Sequence, residues 1–236
     1  DFCKAIVEAT HELVCCFKPQ AAYFSAIGAE DQLEKLVLYI KERHPDIPVI
    51  LDAKRGDIGS TAALYAKEAY ERYGADAVTV NPYLGFESIE PYMKYEDKGI
   101  VVLCRTSNPG SDWLQKDKKD SVPVYQRVAK QVADWNKEDQ FVLVTGATYP
   151  EELGEVRKIV GRMPLLVPGI GAQGGDVKSV LEVGLDQKAQ GLIISSSREI
   201  LYAHEKSDSD RPSDSEKLSD AGIVARQTRD MINKFR

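Results

Sequence analysis

No run of apolar residues in this 236-residue chain approaches the roughly 18 needed to span a bilayer, and its first residues match neither a secretory signal nor a transit peptide. Membrane insertion is not expected, and the cytoplasm is the simplest address. Basic residues never gather into a block. The 31 Lys and Arg are outnumbered by 37 Asp and Glu, for a net charge of −6, so a nucleic-acid footprint is not expected either. Cysteine is scarce: Cys3, Cys15, Cys16 and Cys104 form no Cys-Xaa-Xaa-Cys pair and no His/Cys cluster of zinc spacing. They read as buried thiols in a reducing compartment. The three histidines, His11, His44 and His204, fall in helical or polar segments and suggest neither a base nor a ligand. A small-molecule partner and no metal are expected.

With 43% apolar residues the chain can bury one substantial core, and 1–236 reads as a single domain. Short apolar runs predict strands at Leu13 to Phe17, Val49 to Ala53, Ala77 to Val80, Ile100 to Cys104, Phe141 to Thr145, Leu165 to Pro168 and Leu192 to Ser195. Between them lie amphipathic helices, clearest at Asp31 to His44 with Leu33, Leu36, Val37 and Ile40 on one face. Others are Ser60 to Tyr73, stopped by Gly74, and Val122 to Trp135. Phe2, Ile6, Ala9 and Leu13 are spaced for one face of a helix that opens the chain. Regular βα alternation implies a parallel sheet, and without a composition break before residue 204 the fold class expected is α/β, a (β/α)8 TIM barrel. His204 to Asp220, rich in Ser, Asp and Lys, reads as a flexible insertion before a last helix, Ser215 to Phe235.

Leu51-Asp52-Ala53-Lys54-Arg55-Gly56-Asp57 stands at the end of an apolar run that reads as a buried strand. Strand side chains alternate faces, so Asp52 and Lys54 point the same way, roughly 6 to 7 Å apart, with Asp57 just beyond where the chain turns. A fixed ammonium flanked by fixed carboxylates can repel a substrate carboxylate and then protonate the carbanion left as carbon dioxide departs. Alone, such a motif reads sooner as a structural ion-pair cluster at a strand end than as a catalytic group.

The longer string Leu51-Asp52-Ala53-Lys54-Arg55-Gly56-Asp57-Ile58-Gly59-Ser60-Thr61 closely resembles the signature of the orotidine 5'-phosphate decarboxylase family. The resemblance implies a (β/α)8 barrel that converts OMP to UMP and carbon dioxide in pyrimidine biosynthesis with no cofactor, Lys54 being the proton donor. Phe17-Lys18-Pro19 looks like the element whose lysine bridges the motif aspartate and a ribose hydroxyl, which gives a relay of Lys18, Asp52, Lys54 and Asp57. Family members form homodimers with shared sites, so Asp57 and Thr61 are expected to serve the neighbouring subunit. Read from residues alone, Ser60 or Thr61 is a helix N-cap.

Pro168-Gly169-Ile170-Gly171-Ala172-Gln173-Gly174-Gly175 after one late strand, and Arg198 after the next, stand where barrels often bind phosphate. The resemblance assigns Gln173 and Arg198 to that group, with backbone amides near Gly171 and Ser197, and Pro168 opening the loop. Arg105-Thr106-Ser107-Asn108-Pro109-Gly110 is ordinary turn chemistry, but its Ser107 matches a family serine that hydrogen-bonds the pyrimidine edge. Asn81-Pro82-Tyr83-Leu84-Gly85 matches the family in wording and is assigned no role.

Seven strands cannot close an eight-stranded barrel, so the first strand, carrying a ribose-binding aspartate, is expected upstream of Asp1. Some family members are fused to orotate phosphoribosyltransferase, and the chain is compatible with such a fusion. Two alternatives stay open: a metal-dependent sugar-phosphate decarboxylase or synthase of the same superfamily, and a catalytically silent phosphate-binding barrel.

Overall fold

Segments four to seven residues long that contain short runs of Val, Ile and Leu become the strands of one curled parallel sheet. The structure, a computed structural model, describes residues 1–170, 176–203 and 214–236. The strands are β1 (Ile50–Arg55), β2 (Ala77–Val80) and β3 (Gly99–Arg105), then a two-residue hairpin of β4 (Lys118–Lys119) with β5 (Val122–Pro123), then β6 (Phe141–Thr145), β7 (Leu165–Pro168) and β8 (Leu192–Ser195). The six-stranded sheet runs β1-β2-β3-β6-β7-β8, every pairing parallel, so all six C-terminal ends share one rim.

The helices are α1 (Phe2–Thr10), α2 (Ala21–Ser25), α3 (Glu30–Arg43), α4 (Gly59–Lys67, continued by a π-turn at Glu68–Arg72), α5 (Glu90–Met93) and α6 (Asp112–Gln115). They continue as α7 (Val124–Trp135), α8 (Pro150–Val160), α9 (Val177–Gly184), α10 (Arg198–Leu201) and α11 (Asp214–Lys234). Strand alternation sorts the core into two layers. Ile50, Ala77, Val101, Val144 and Leu166 line the concave side of the sheet, while Leu51, Val78, Ile100, Val102, Leu143 and Leu165 pack outward against the helices. α3 buries the stripe its spacing predicts, Leu33, Leu36, Val37 and Ile40. No helix among the described residues is long and apolar enough to cross a membrane.

Several expectations change. Leu13 to Phe17 is not a strand: His11–Leu13 is a 3-10 turn, and the chain then runs beside β1 through isolated bridges at Phe17 and Gln20. Phe17 N–H donates to the Pro48 carbonyl (3.0 Å), Ile50 N–H to Phe17 (2.8 Å) and Asp52 N–H to Pro19 (2.9 Å). Pro19 has no N–H to return, and the ladder breaks there. In α1 the buried residues are Val7 and Thr10, and Phe2 is exposed. Of the thiols, only Cys104 is buried; Cys3 and Cys15 are exposed. The proposed insertion at 204–220 lies outside the described residues as far as 213.

At the rim where the strands begin, Arg157 is a buried clamp. Its guanidinium donates to the carbonyls of Gly184 (2.6 Å), Gly161 (2.6 Å), Met163 (2.7 Å) and Gly191 (2.8 Å), tying α8 and α9 to the starts of β7 and β8. The opposite rim is thereby left to carry chemistry on a fixed base.

Candidate active site

Asp52 stands on the concave face of β1, two residues beyond Ile50 and 6% exposed. Three groups converge on its carboxylate. Lys18 Nζ donates to Oδ2 (3.0 Å), Lys54 Nζ to Oδ1 (2.5 Å) and Thr79 Oγ1 to the same Oδ1 (2.9 Å). Burial alone would raise this carboxyl's pKa; the charge of Lys18, followed by the hydrogen bond and charge of Lys54, reverses that, and the net shift is downward. Asp52 is therefore a fixed anion with a cation on either side.

Lys54 is held in an unusual backbone state, with φ at +48°. Left-handed geometry costs a residue with a Cβ of order 1–3 kcal/mol unless the surroundings enforce it. Thr79, from the neighbouring strand, supplies that enforcement. Its hydroxyl accepts from the N–H groups of Ala53 and Lys54, both at 2.9 Å, while donating to Asp52, which uses one donor and both acceptor sites. The β1–β2 register shifts between Leu51 and Arg55 at this point. The bend lifts the Lys54 side chain, 47% exposed, out of the core while its ammonium stays on Asp52. Thr79 is missing from the sequence expectations. Its one signal was a lone hydroxyl in the otherwise apolar Ala77-Val78-Thr79-Val80.

Asp57 and Thr61 are not drawn into this cluster. Asp57 Oδ1 accepts from the N–H of Ile58 (2.8 Å), and among the described residues no ion pair joins it to Lys54. Three members of the expected four-residue relay are joined within one subunit. Ile58 is the N-cap of α4 and its side chain caps nothing, so Ser60 and Thr61 lie inside the first turn instead of capping it.

Ser107 follows β3 on the same rim. Its carbonyl accepts from Thr148 Oγ1 (3.0 Å), and Gly146, just past β6, packs directly beneath it. A Cβ on Gly146 would stand 2.7 Å from the Ser107 Cα and 2.8 Å from its N. Next to Ser107 lies Arg105, whose guanidinium is fully buried. It pairs with Asp112 (2.6 Å) and Glu152, bonds to Ser111, to the Thr106 carbonyl (3.2 Å) and to Gln115 (3.2 Å), and lies 3.9 Å from the Tyr149 ring centre. Burial would lower the Arg105 pKa; Glu152 and Asp112 more than restore it. Loop 106–115 is wrapped around this cation.

Pro168 ends β7 in register with Ser195 of β8, and Gly169 beyond it takes φ +98°. Ser197 and Arg198 begin α10 directly after β8, both exposed. Parallel pairing thus brings Pro168, Ser197 and Arg198 to the rim that carries Asp52, Lys54 and Ser107. Gly171 and Gln173 lie outside the described residues.

Comparison with known proteins bears on the family and the fold. The model of the orotidine 5'-phosphate decarboxylase / HUMPS family matches residues 1–209. The orotidine 5'-phosphate decarboxylase of Ralstonia pickettii is 57% identical over 100% of this chain and 84% of its own length. Among solved structures, the OMP decarboxylase of Leishmania donovani superposes with a TM-score of 0.87 at 36% identity, covering 99% of this chain and 86% of that one. The UMP synthase of the same organism gives 0.88 at 38% identity, over 100% of this chain and 49% of that one. The motif, the curled parallel sheet and these matches together show that the chain belongs to the orotidine 5'-phosphate decarboxylase / HUMPS family.

Proposed function

We propose that the chain decarboxylates orotidine 5'-monophosphate to UMP and carbon dioxide in pyrimidine biosynthesis, with no cofactor and with Lys54 as the proton donor. The observation that carries this is the Lys18–Asp52–Lys54 cluster locked by Thr79 at the C-terminal rim of the sheet. In this mechanism the substrate phosphate is gripped by Gln173, Arg198 and backbone amides near Gly171 and Ser197, beside Pro168. Ser107 orients the pyrimidine, and Lys18 holds the ribose. The substrate carboxylate faces Asp52 and the Asp57 of a second subunit. The carbon–carbon bond breaks, its electron pair stays on C6, and carbon dioxide leaves. A proton then passes from Lys54 Nζ to C6. Phosphate binding far from the reacting bond helps hold the ring against the fixed anion.

Two supports bear on assembly. Ile58, Leu64, Tyr83 and Leu84 are exposed beside Asp57 and Thr61 in sequence or on the α4 side of the rim, which suits a homodimer with shared sites. The match to half of a UMP synthase suits fusion to orotate phosphoribosyltransferase. The composition suits a single domain and a cytoplasmic address.

The decisive assay is carbon dioxide release from OMP in excess chelator. Full turnover supports the proposal. Loss of activity under chelation points to the metal-dependent sugar-phosphate branch, and UMP binding without turnover to a silent barrel.

Thr79→Val keeps the shape of the side chain and removes its three hydrogen bonds. Two N–H groups lose their acceptor, and Lys54 loses what holds its backbone. A stability loss of about 1–3 kcal/mol is expected, with kcat reduced on the order of 10²-fold and KM changed less. Unchanged kcat in a folded variant would show that Lys54 is positioned without Thr79.

Gly146→Ala drives a methyl group into the Ser107 backbone. The expected result is a fall in kcat/KM for OMP on the order of 10²-fold, because a displacement near 1 Å suffices for that. Normal kcat/KM would remove Ser107 from the ring-binding role.

A further inference from the structure

On the opposite rim, where the strands begin, the fold gathers two histidines that sequence reasoning set aside. α1 ends at Thr10, and His11 starts the next turn; His44 ends α3 just before the chain enters β1. Glu8, one turn before His11, sits between them. Its Oε1 accepts from Tyr39 OH (2.7 Å) and stands 3.0 Å from His44 Nε2. The two imidazoles stack with centroids 4.2 Å apart and planes 24° apart. One donor atom from each of the three side chains lies within 4.8 Å of the other two.

We propose that Glu8, His11 and His44 form a structural zinc site, bound through the Glu8 carboxylate and one nitrogen of each imidazole, with water in the fourth position. Two imidazoles and one carboxylate are the donor set that suits Zn²⁺ and disfavours Mg²⁺ or Ca²⁺, which take oxygen ligands. His11 comes prepared for this, whereas His44 must give up the hydrogen that its Nε2 directs at Glu8 Oε1. His11 Nδ1 lies 2.9 Å from the Glu8 carbonyl, which can only accept, so Nδ1 carries the hydrogen and Nε2 the lone pair in the neutral ring. A ligating histidine fixed by a backbone carbonyl on its other nitrogen is the usual supporting arrangement. Tyr39 OH steadies Glu8 in the same way from α3.

Tetrahedral donors at zinc bond lengths of about 2.0–2.1 Å stand about 3.3 Å apart, so donors that lie within 4.8 Å of one another must close by at most roughly 1.5 Å. Glu8 is exposed, and its carboxylate can close that distance by exchanging its hydrogen bond from His44 for the metal while Tyr39 OH stays on it. Bound metal would join α1 to the end of α3, on the far side of the sheet from Asp52, and would therefore act on stability without touching turnover.

The test uses chelator-stripped protein titrated with Co²⁺ under visible spectroscopy and with Zn²⁺ by equilibrium dialysis. One ion should bind per chain, with tetrahedral d–d absorption and no thiolate charge-transfer band, and Zn²⁺ should raise Tm. His11→Ala and His44→Gln should each weaken binding at least about tenfold and remove the Tm gain, with OMP turnover unchanged. A variant carrying Cys3→Ser, Cys15→Ser and Cys16→Ser should bind as the parent does. A thiolate band, equal binding by the His11→Ala/His44→Gln double variant, or no saturable binding overturns the site. The binding and Tm outcomes do not depend on the decarboxylase assignment.

Discussion

Lys54→Ala should lose at least about 10⁴-fold in kcat for OMP while binding UMP within about tenfold of the parent. Two separate losses combine. Removing a positioned general acid typically costs 10²–10⁴-fold, and removing a preorganised charge beside a developing anion costs a further 10²–10³-fold. The fold should survive. Lys54 is half exposed, and its removal leaves Asp52 still bonded to Lys18 and Thr79. The residues proposed to grip the phosphate, which follow β7 and β8 in sequence, are untouched, so affinity for UMP tests whether the site remains assembled. Lys54→Arg separates the two losses: arginine keeps a charge near Asp52 but does not surrender its proton at neutral pH. It should recover part of the electrostatic contribution and little of the turnover. Near-normal kcat in Lys54→Ala would end the proposal that this lysine is the proton donor.

Much of this frame could be read from local pattern. The strands at Ala77–Val80, Phe141–Thr145, Leu165–Pro168 and Leu192–Ser195 fall where expected, because short β-branched runs bounded by Gly, Pro or polar residues have few other uses. α3 was visible for the same reason, through its buried stripe. Asp52 and Lys54 were visible because a charged pair at the end of an apolar strand is conspicuous. Leu13 to Phe17 misled because its apolar run is strand-like, while the interruption comes from Pro19, which cannot donate to the ladder. Thr79, Gly146 and the Arg105 cluster were hidden for another reason. Thr79 and Gly146 act through Lys54 and Ser107, far from them in sequence, and Arg105 joins its own loop to Glu152, 47 residues on, so no window of local pattern holds the whole of any of these sets.

Arg105 is where a single substitution should damage stability most. Arg105→Met removes the buried cation and strands the groups built around it: the Thr106 carbonyl, Ser111, Gln115, Asp112 and Glu152. Breaking a buried pair from one side typically costs 3–5 kcal/mol, because the partner charge stays behind without compensation. Lys116 softens the loss on Glu152, at 2.8 Å, and Asp112 is partly exposed, which places the expectation toward the lower end of that range. For a chain of this size, Tm should fall by roughly 6–20 °C. Function should follow the loop. Ser107 lies two residues beyond Arg105, and the segment 106–115 has no other buried anchor of comparable reach, so KM for OMP should rise even at temperatures where the variant is folded. Arg105→Lys is the discriminating control. A lysine keeps the charge yet has one nitrogen where the guanidinium divides itself between Asp112, Glu152 and Ser111. It should regain part of the stability and leave KM elevated. If Arg105→Lys restores both, a buried charge is all that the loop requires; if only stability returns, the planar fork itself sets the position of Ser107.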